Sequence, residues 1–84
     1  HMGWNNITLK KGNPLLAGLS NSSYFYFLHS YYFEAHDETN IVTTTKYGHD
    51  FVSTINKKNI YGVQFHPEKS HKFGMHLFKN FSNI

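Results

Sequence analysis

Apolar and polar positions along the 84-residue chain divide it into five strand-like runs and one helix. Trp4 to Leu9 alternates loosely and stops at Lys10-Lys11-Gly12-Asn13-Pro14, a cluster of turn formers. Leu15 to Leu19 is too short for a full helix and reads as a single turn, followed by a polar loop at Ser20–Ser23. Tyr24 to Leu28 is an unbroken aromatic run between turn signals, which predicts a strand buried on both faces. After a polar loop from Glu34 to Asn40, the β-branched, threonine-rich run Ile41 to Tyr47 ends at Gly48. Phe51–Ile55 and Ile60–Phe65 flank Asn56-Lys57-Lys58-Asn59, the composition of a hairpin turn. The sequence contains neither an internal repeat nor a low-complexity segment.

The helix follows the last strand. Ser70 stands where an N-cap is needed, and Phe73, Leu77 and Phe81 recur at i, i+4 and i+8, with Phe78 widening the stripe. These side chains are read as core that covers a sheet. Gly74 interrupts the stripe at a propensity cost of about 1 kcal/mol relative to alanine, which predicts close packing against a neighbouring element.

Composition narrows the class. A chain this short forms at most one small domain and buries only roughly 60% of its unfolded surface. Aromatic residues make up 18% of the chain, which favours pleated, half-buried surfaces over helix. The net charge of +3 is too mild and too dispersed to predict nucleic-acid binding, since the doublets Lys10-Lys11 and Lys57-Lys58 fall at expected turns. A basic RNA-binding peptide is therefore the last of the readings. No apolar stretch approaches the roughly 18 residues of a membrane span. The absence of cysteine excludes disulfides, thiolate metal ligands and a cysteine nucleophile within these residues. The chain begins at His1 with no methionine before it, as expected of a fragment or of a processed or tagged chain.

The chemistry concentrates in Tyr61-Gly62-Val63-Gln64-Phe65-His66-Pro67-Glu68-Lys69-Ser70. His66 and Glu68 sit just beyond the C-terminal end of a strand, where open α/β sheets place their ligand crevices. Pro67 biases His66 toward an extended backbone, and side chains at i and i+2 of an extended chain project to one side. Glu68 then accepts a hydrogen bond from one ring nitrogen and leaves the other free, which is the base and its orienter in a nucleophilic triad. The competing reading is ordinary capping or surface chemistry, since His-x-Glu at a strand end is common. A metal site is the third reading, prompted by seven histidines. His66, His71 and His76 are spaced by five, however, and diverge around a helix; His29, His36 and His49 lie in separate loops. No metal or other cofactor is expected.

The run Gly62–Ser70 resembles the closing signature of class I, triad-type glutamine amidotransferases. Three further stretches are similar to the glutaminase subunits of imidazole glycerol phosphate synthases: His1-Met2-Gly3-Trp4-Asn5, Tyr24-Phe25-Tyr26-Phe27-Leu28-His29-Ser30-Tyr31-Tyr32, and Thr43-Thr44-Thr45-Lys46-Tyr47-Gly48. All four occur in the family's order, so the resemblance covers essentially the whole chain. It implies an α/β fold, the C-terminal part of a flavodoxin-like, mixed-sheet amidotransferase domain with about five strands and one C-terminal helix.

The same resemblance implies roles. His66 would be the triad histidine that activates a cysteine thiol, with Glu68 orienting it. Ser30 and Tyr31 would line the pocket for the substrate glutamine, and Met2, Trp4, Tyr26 and Lys69 would face a (β/α)₈-barrel cyclase that takes up the ammonia. The resemblance further implies a cytoplasmic heterodimer, with neither nucleic acid nor membrane as a partner. The sequence departs from the pattern in one large respect: the nucleophile and oxyanion-hole glycines belong to an N-terminal half that residues 1–84 lack. The chain alone is therefore expected not to hydrolyse glutamine, and to expose an apolar sheet edge. A related subunit serving a sugar pathway, or a non-catalytic interaction module, are the alternatives.

Overall fold

The first apolar run divides at Ile7. In the computed structural model, which describes residues 2–29 and 34–84, Trp4–Leu9 is not one strand but parts of two, β1 (Met2–Asn6) and β2 (Thr8–Leu9). Ile7 between them is completely buried, and its N–H donates to the Ser23 carbonyl at 3.3 Å. β1 pairs with β3 (Tyr24–Leu28), whereas β2 pairs with β4 (Ile41–Tyr47). A buried isoleucine thus carries the chain from one sheet to another, a choice of partners that local alternation does not record.

The described residues form two sheets. One is the pair β1–β3; the other runs β2–β4–β5–β6, with β5 at His49–Lys57 and β6 at Ile60–Val63, and every pairing is antiparallel. Gly48, at φ 77°, turns β4 into β5, with Tyr47 facing His49. The β5–β6 turn is tighter than the four residues expected, because Lys57 pairs with Ile60 and only Lys58 and Asn59 remain in the loop. Lys58 takes φ 55°, the left-handed backbone that such two-residue turns require.

Two compensating bulges distort the β4–β5 ladder. Ile41 faces Ile55 while Thr43 faces Thr54, so Val42 is extra on β4; Thr44 faces Val52, so Ser53 is extra on β5. The threonine-rich composition acquires a reason here. Ser53 Oγ lies 2.7 Å from Thr43 Oγ1 and accepts from Thr45 Oγ1 at 2.9 Å, so three buried hydroxyls satisfy one another.

β3 is buried on one face, not two. Phe25 and Phe27 are fully inaccessible, while Tyr24 and Leu28 stand outward at 44% and 39% exposure. Inside, Phe25 stacks on Phe65 with centroids 4.1 Å apart, and Phe27 meets Phe65 and Phe51 edge-on, each at 5.7 Å. This aromatic centre joins the two sheets.

Helix α1 (His71–Ser82) closes the structure on the side of β3. Leu77 and Gly74 are its buried residues, and Phe73 reaches Tyr24 and Phe25 at 4.8 and 6.2 Å. The expected core stripe is only half right, since Phe78 and Phe81 remain 48% and 55% exposed. Phe81 touches only the margin of the fold, edge-on to Tyr61 at 6.0 Å. Asn80 Nδ2 donates to the carbonyls of Leu15 and Ala17, both at 2.8 Å, which ties α1 to the single turn Pro14–Leu16.

Candidate active site

β6 hands the chain to Gln64, Phe65 and His66, and Phe65 plugs the aromatic core. His66 is extended (φ −103°, ψ 97°), as Pro67 demands of the residue before it. Pro67–Lys69 then form a short 3₁₀ turn, so Glu68 does not reach His66 along an extended chain. The turn folds its carboxylate back instead. The result is the expected contact by another route: His66 Nδ1 lies 2.8 Å from Glu68 Oε2. His66 Nε2 lies 3.3 Å from the Leu28 carbonyl at the end of β3. The imidazole is 37% exposed and the carboxylate 56%, so the pair opens to solvent.

The hydrogen bond from His66, and secondarily a backbone N–H at Glu68 itself, hold the Glu68 carboxyl below its ordinary value of 4.5. A carboxyl depressed in the folded state adds stability above its unfolded pKa, and that contribution is lost as pH falls through the folded value. Carbon-13 NMR titration of Glu68 should therefore show a midpoint below 4.5, rising toward it in His66→Ala. A wild-type midpoint at or above that value would remove the His66–Glu68 hydrogen bond from the account.

Ser70 occupies the N-cap position of α1, yet its hydroxyl makes no cap hydrogen bond. It donates to the His66 carbonyl at 2.6 Å and accepts from the Tyr26 N–H at 2.9 Å. A hydroxyl bonded to the carbonyl four residues earlier is an alternative that serine offers at any such site, and the spacing His66…Ser70 was the available signal. Gly74 packs as its place in the stripe implied: a Cβ there would stand 2.8 Å from the Pro67 carbonyl carbon and inside the shell of its oxygen.

The residues expected to face a partner separate into two groups. Met2, Trp4 and Tyr26 share the outer face of the β1–β3 pair, since Met2 opposes Leu28 and Trp4 opposes Tyr26. Met2 and Trp4 are 72% and 45% exposed, so the apolar surface lies on a sheet face rather than only along an edge. Trp4 meets Tyr24 and Tyr26 edge-on at 5.6 and 5.7 Å and stacks on His71 at 5.4 Å. His71 holds φ 51°, uncommon for a residue with a Cβ. Lys69 is exposed on the 3₁₀ turn beside His66. Ser30 and Tyr31, expected at the glutamine pocket, lie outside the described residues.

The histidines spaced by five take three different partners. His66 bonds Glu68, His71 stacks on Trp4, and His76 Nε2 donates to the Ala17 carbonyl at 2.7 Å. Among the described residues no group of three or more His, Cys, Asp or Glu side chains is placed to hold a metal ion. No helix among them is long and apolar enough to cross a membrane.

Comparison with known proteins extends the likeness beyond the site. Imidazole glycerol phosphate synthase subunit HisH 2 of Methanococcus maripaludis is 56% identical over 81 residues, covering 96% of this chain and 40% of that protein. Its namesake in Pseudomonas aeruginosa is 49% identical and subunit HisH of Methanocaldococcus jannaschii 52%, each covering 100% of this chain and 42% of the relative. The chain thus spans about two fifths of the length of these relatives. The family model described as glutamine amidotransferase class-I matches residues 1–84, from first to last. With the α/β architecture and the His66–Glu68 pair in place, that match identifies the chain as a member of the class-I glutamine amidotransferase family.

Proposed function

We propose that these residues are the C-terminal portion of the glutaminase subunit of an imidazole glycerol phosphate synthase. The observation that carries the reading is the 2.8 Å contact of His66 Nδ1 with Glu68, in a chain 49–56% identical to subunits of that name. With Nδ1 held by Glu68, Nε2 is the nitrogen for proton transfer once it gives up its 3.3 Å contact with the Leu28 carbonyl. His66 takes the proton of a cysteine thiol, and the thiolate attacks the side-chain amide carbon of glutamine. His66 then returns the proton to the departing nitrogen as the C–N bond breaks, giving ammonia and a thioester that water hydrolyses to glutamate. Glu68 keeps the ring oriented throughout. The thiol comes from outside these residues, which contain no cysteine.

Ser30 and Tyr31 contact the glutamine. Met2, Trp4, Tyr26 and Lys69 face a (β/α)₈-barrel cyclase that receives ammonia in histidine biosynthesis, in a cytoplasmic heterodimer. The outward sheet face bearing Met2, Trp4 and Tyr26 supports this arrangement, because clustered apolar groups of this kind favour a covering partner. One other reading is a non-catalytic docking module, which the same exposed sheet face would also serve.

Glutamate release from glutamine separates the two. The 84-residue chain alone should release none. The full-length protein mixed with the cyclase should release glutamate well above either component. Absence of turnover in that mixture would leave the docking module as the better account.

A further inference from the structure

We infer that Ser70 is a positioning residue for the triad histidine, its hydroxyl inserted into the strand pairing that holds His66. The inference rests on the glutaminase reading of His66 and adds a residue to it.

Tyr26 and His66 face each other as an isolated antiparallel bridge. A narrow pair in an antiparallel ladder exchanges two direct N–H···O bonds. Only one is direct here, from His66 N to the Tyr26 carbonyl at 2.8 Å. The other passes through a side chain: Tyr26 N donates to Ser70 Oγ at 2.9 Å, and Ser70 Oγ donates to the His66 carbonyl at 2.6 Å. The relay closes a ring of three hydrogen bonds among three residues. It also places a side chain between the two backbones on one side of the bridge, where the segment after His66 diverges from β3 into the Pro67–Lys69 turn.

The His66 carbonyl accepts from Lys69 N as well, at 3.1 Å, so both its lone pairs are engaged. His66 is therefore fixed at its N–H, its carbonyl and its ring nitrogen Nδ1. Glu68 sets the rotation of the ring, and Ser70 sets where the ring starts from. Ser70 is wholly inaccessible, so no water can replace its hydroxyl in the relay without rearrangement. Misplacing a reacting group by about 1 Å costs up to about 10²-fold in rate.

The test uses the full-length protein with its cyclase and compares wild type, Ser70→Ala, Ser70→Cys and His66→Ala. Cysteine fills the serine site but is a poor hydrogen-bonding group. Both Ser70 variants should lose about 10- to 100-fold in kcat with the KM for glutamine nearly unchanged. The pH profile of kcat/KM should be displaced, in protein whose melting remains cooperative above the assay temperature. A structural role alone would lower the folded fraction and leave the pH profile and the kcat per folded molecule as in wild type, and that result overturns the inference. So does a Ser70→Cys variant with wild-type kcat. His66→Ala monitors the reading beneath: full activity there defeats the triad itself, whereas an inactive His66→Ala beside a wild-type Ser70→Ala defeats only the role of Ser70.

Discussion

His66→Ala in the full-length protein, assayed with the proposed cyclase partner, should lower glutamine hydrolysis by at least about a hundredfold, the lower end of what a placed general base contributes. Two features make the variant informative. The ring is 37% exposed and outside the aromatic core, so its removal should leave the melting transition close to wild type. The contacts it gives up are at the surface, with Glu68 and the Leu28 carbonyl. Loss of rate without loss of fold would therefore report chemistry. The KM for glutamine should change little, because the role proposed for His66 is with the thiol and the departing nitrogen rather than with the part of glutamine that is recognised. Hydrolysis at the wild-type rate would reduce the His66–Glu68 pair to the strand-end capping that its sequence also permits.

The His66–Glu68 contact was legible because its geometry is local. A proline constrains the residue before it, and two side chains two positions apart need no distant part of the chain in order to meet. The inferred route along an extended chain was wrong, yet the 3₁₀ turn delivers the same contact. Helix α1 was legible for the same reason, since its periodicity is written within twelve residues. What failed depended on distant partners. Nothing within Trp4–Leu9 says that Asn5 will oppose Phe25 while Leu9 opposes Thr43, so the division at Ile7 could not be read from alternation. An unbroken aromatic run cannot tell a strand buried on both faces from one whose outer rings stand exposed, and Tyr24 and Leu28 are of the second kind. Ser70 belongs to both groups: its position before the helix is local, but its hydroxyl is claimed by Tyr26, 44 residues away.

The largest structural effect should come from a single methyl group. Gly74→Ala places a Cβ inside the shell of the Pro67 carbonyl oxygen, 2.8 Å from the carbonyl carbon and 3.2 Å from Ser70 Cβ. Intrinsic propensity favours the substitution by about 1 kcal/mol, so helix preference alone predicts a more stable protein. Packing opposes it, and the obstacle is backbone, which cannot swing aside as a flexible side chain does. Either α1 withdraws or the Pro67–Lys69 turn shifts, and overpacking of this kind typically costs about 1–3 kcal/mol or more. Withdrawal of α1 strains its ties to Leu15 and Ala17, whereas a shift of the turn moves the segment that carries Glu68. Measured in a full-length protein of about 150–250 residues, the melting midpoint should fall by roughly 2–4 °C for each kcal/mol. Glutamine hydrolysis should fall as well, at temperatures where the protein is still folded. A midpoint at or above wild type would mean that the approach of α1 to the Pro67 carbonyl is not as close as described. An unstable protein with undiminished turnover would show that the helix yields while the Pro67–Lys69 turn stays in place.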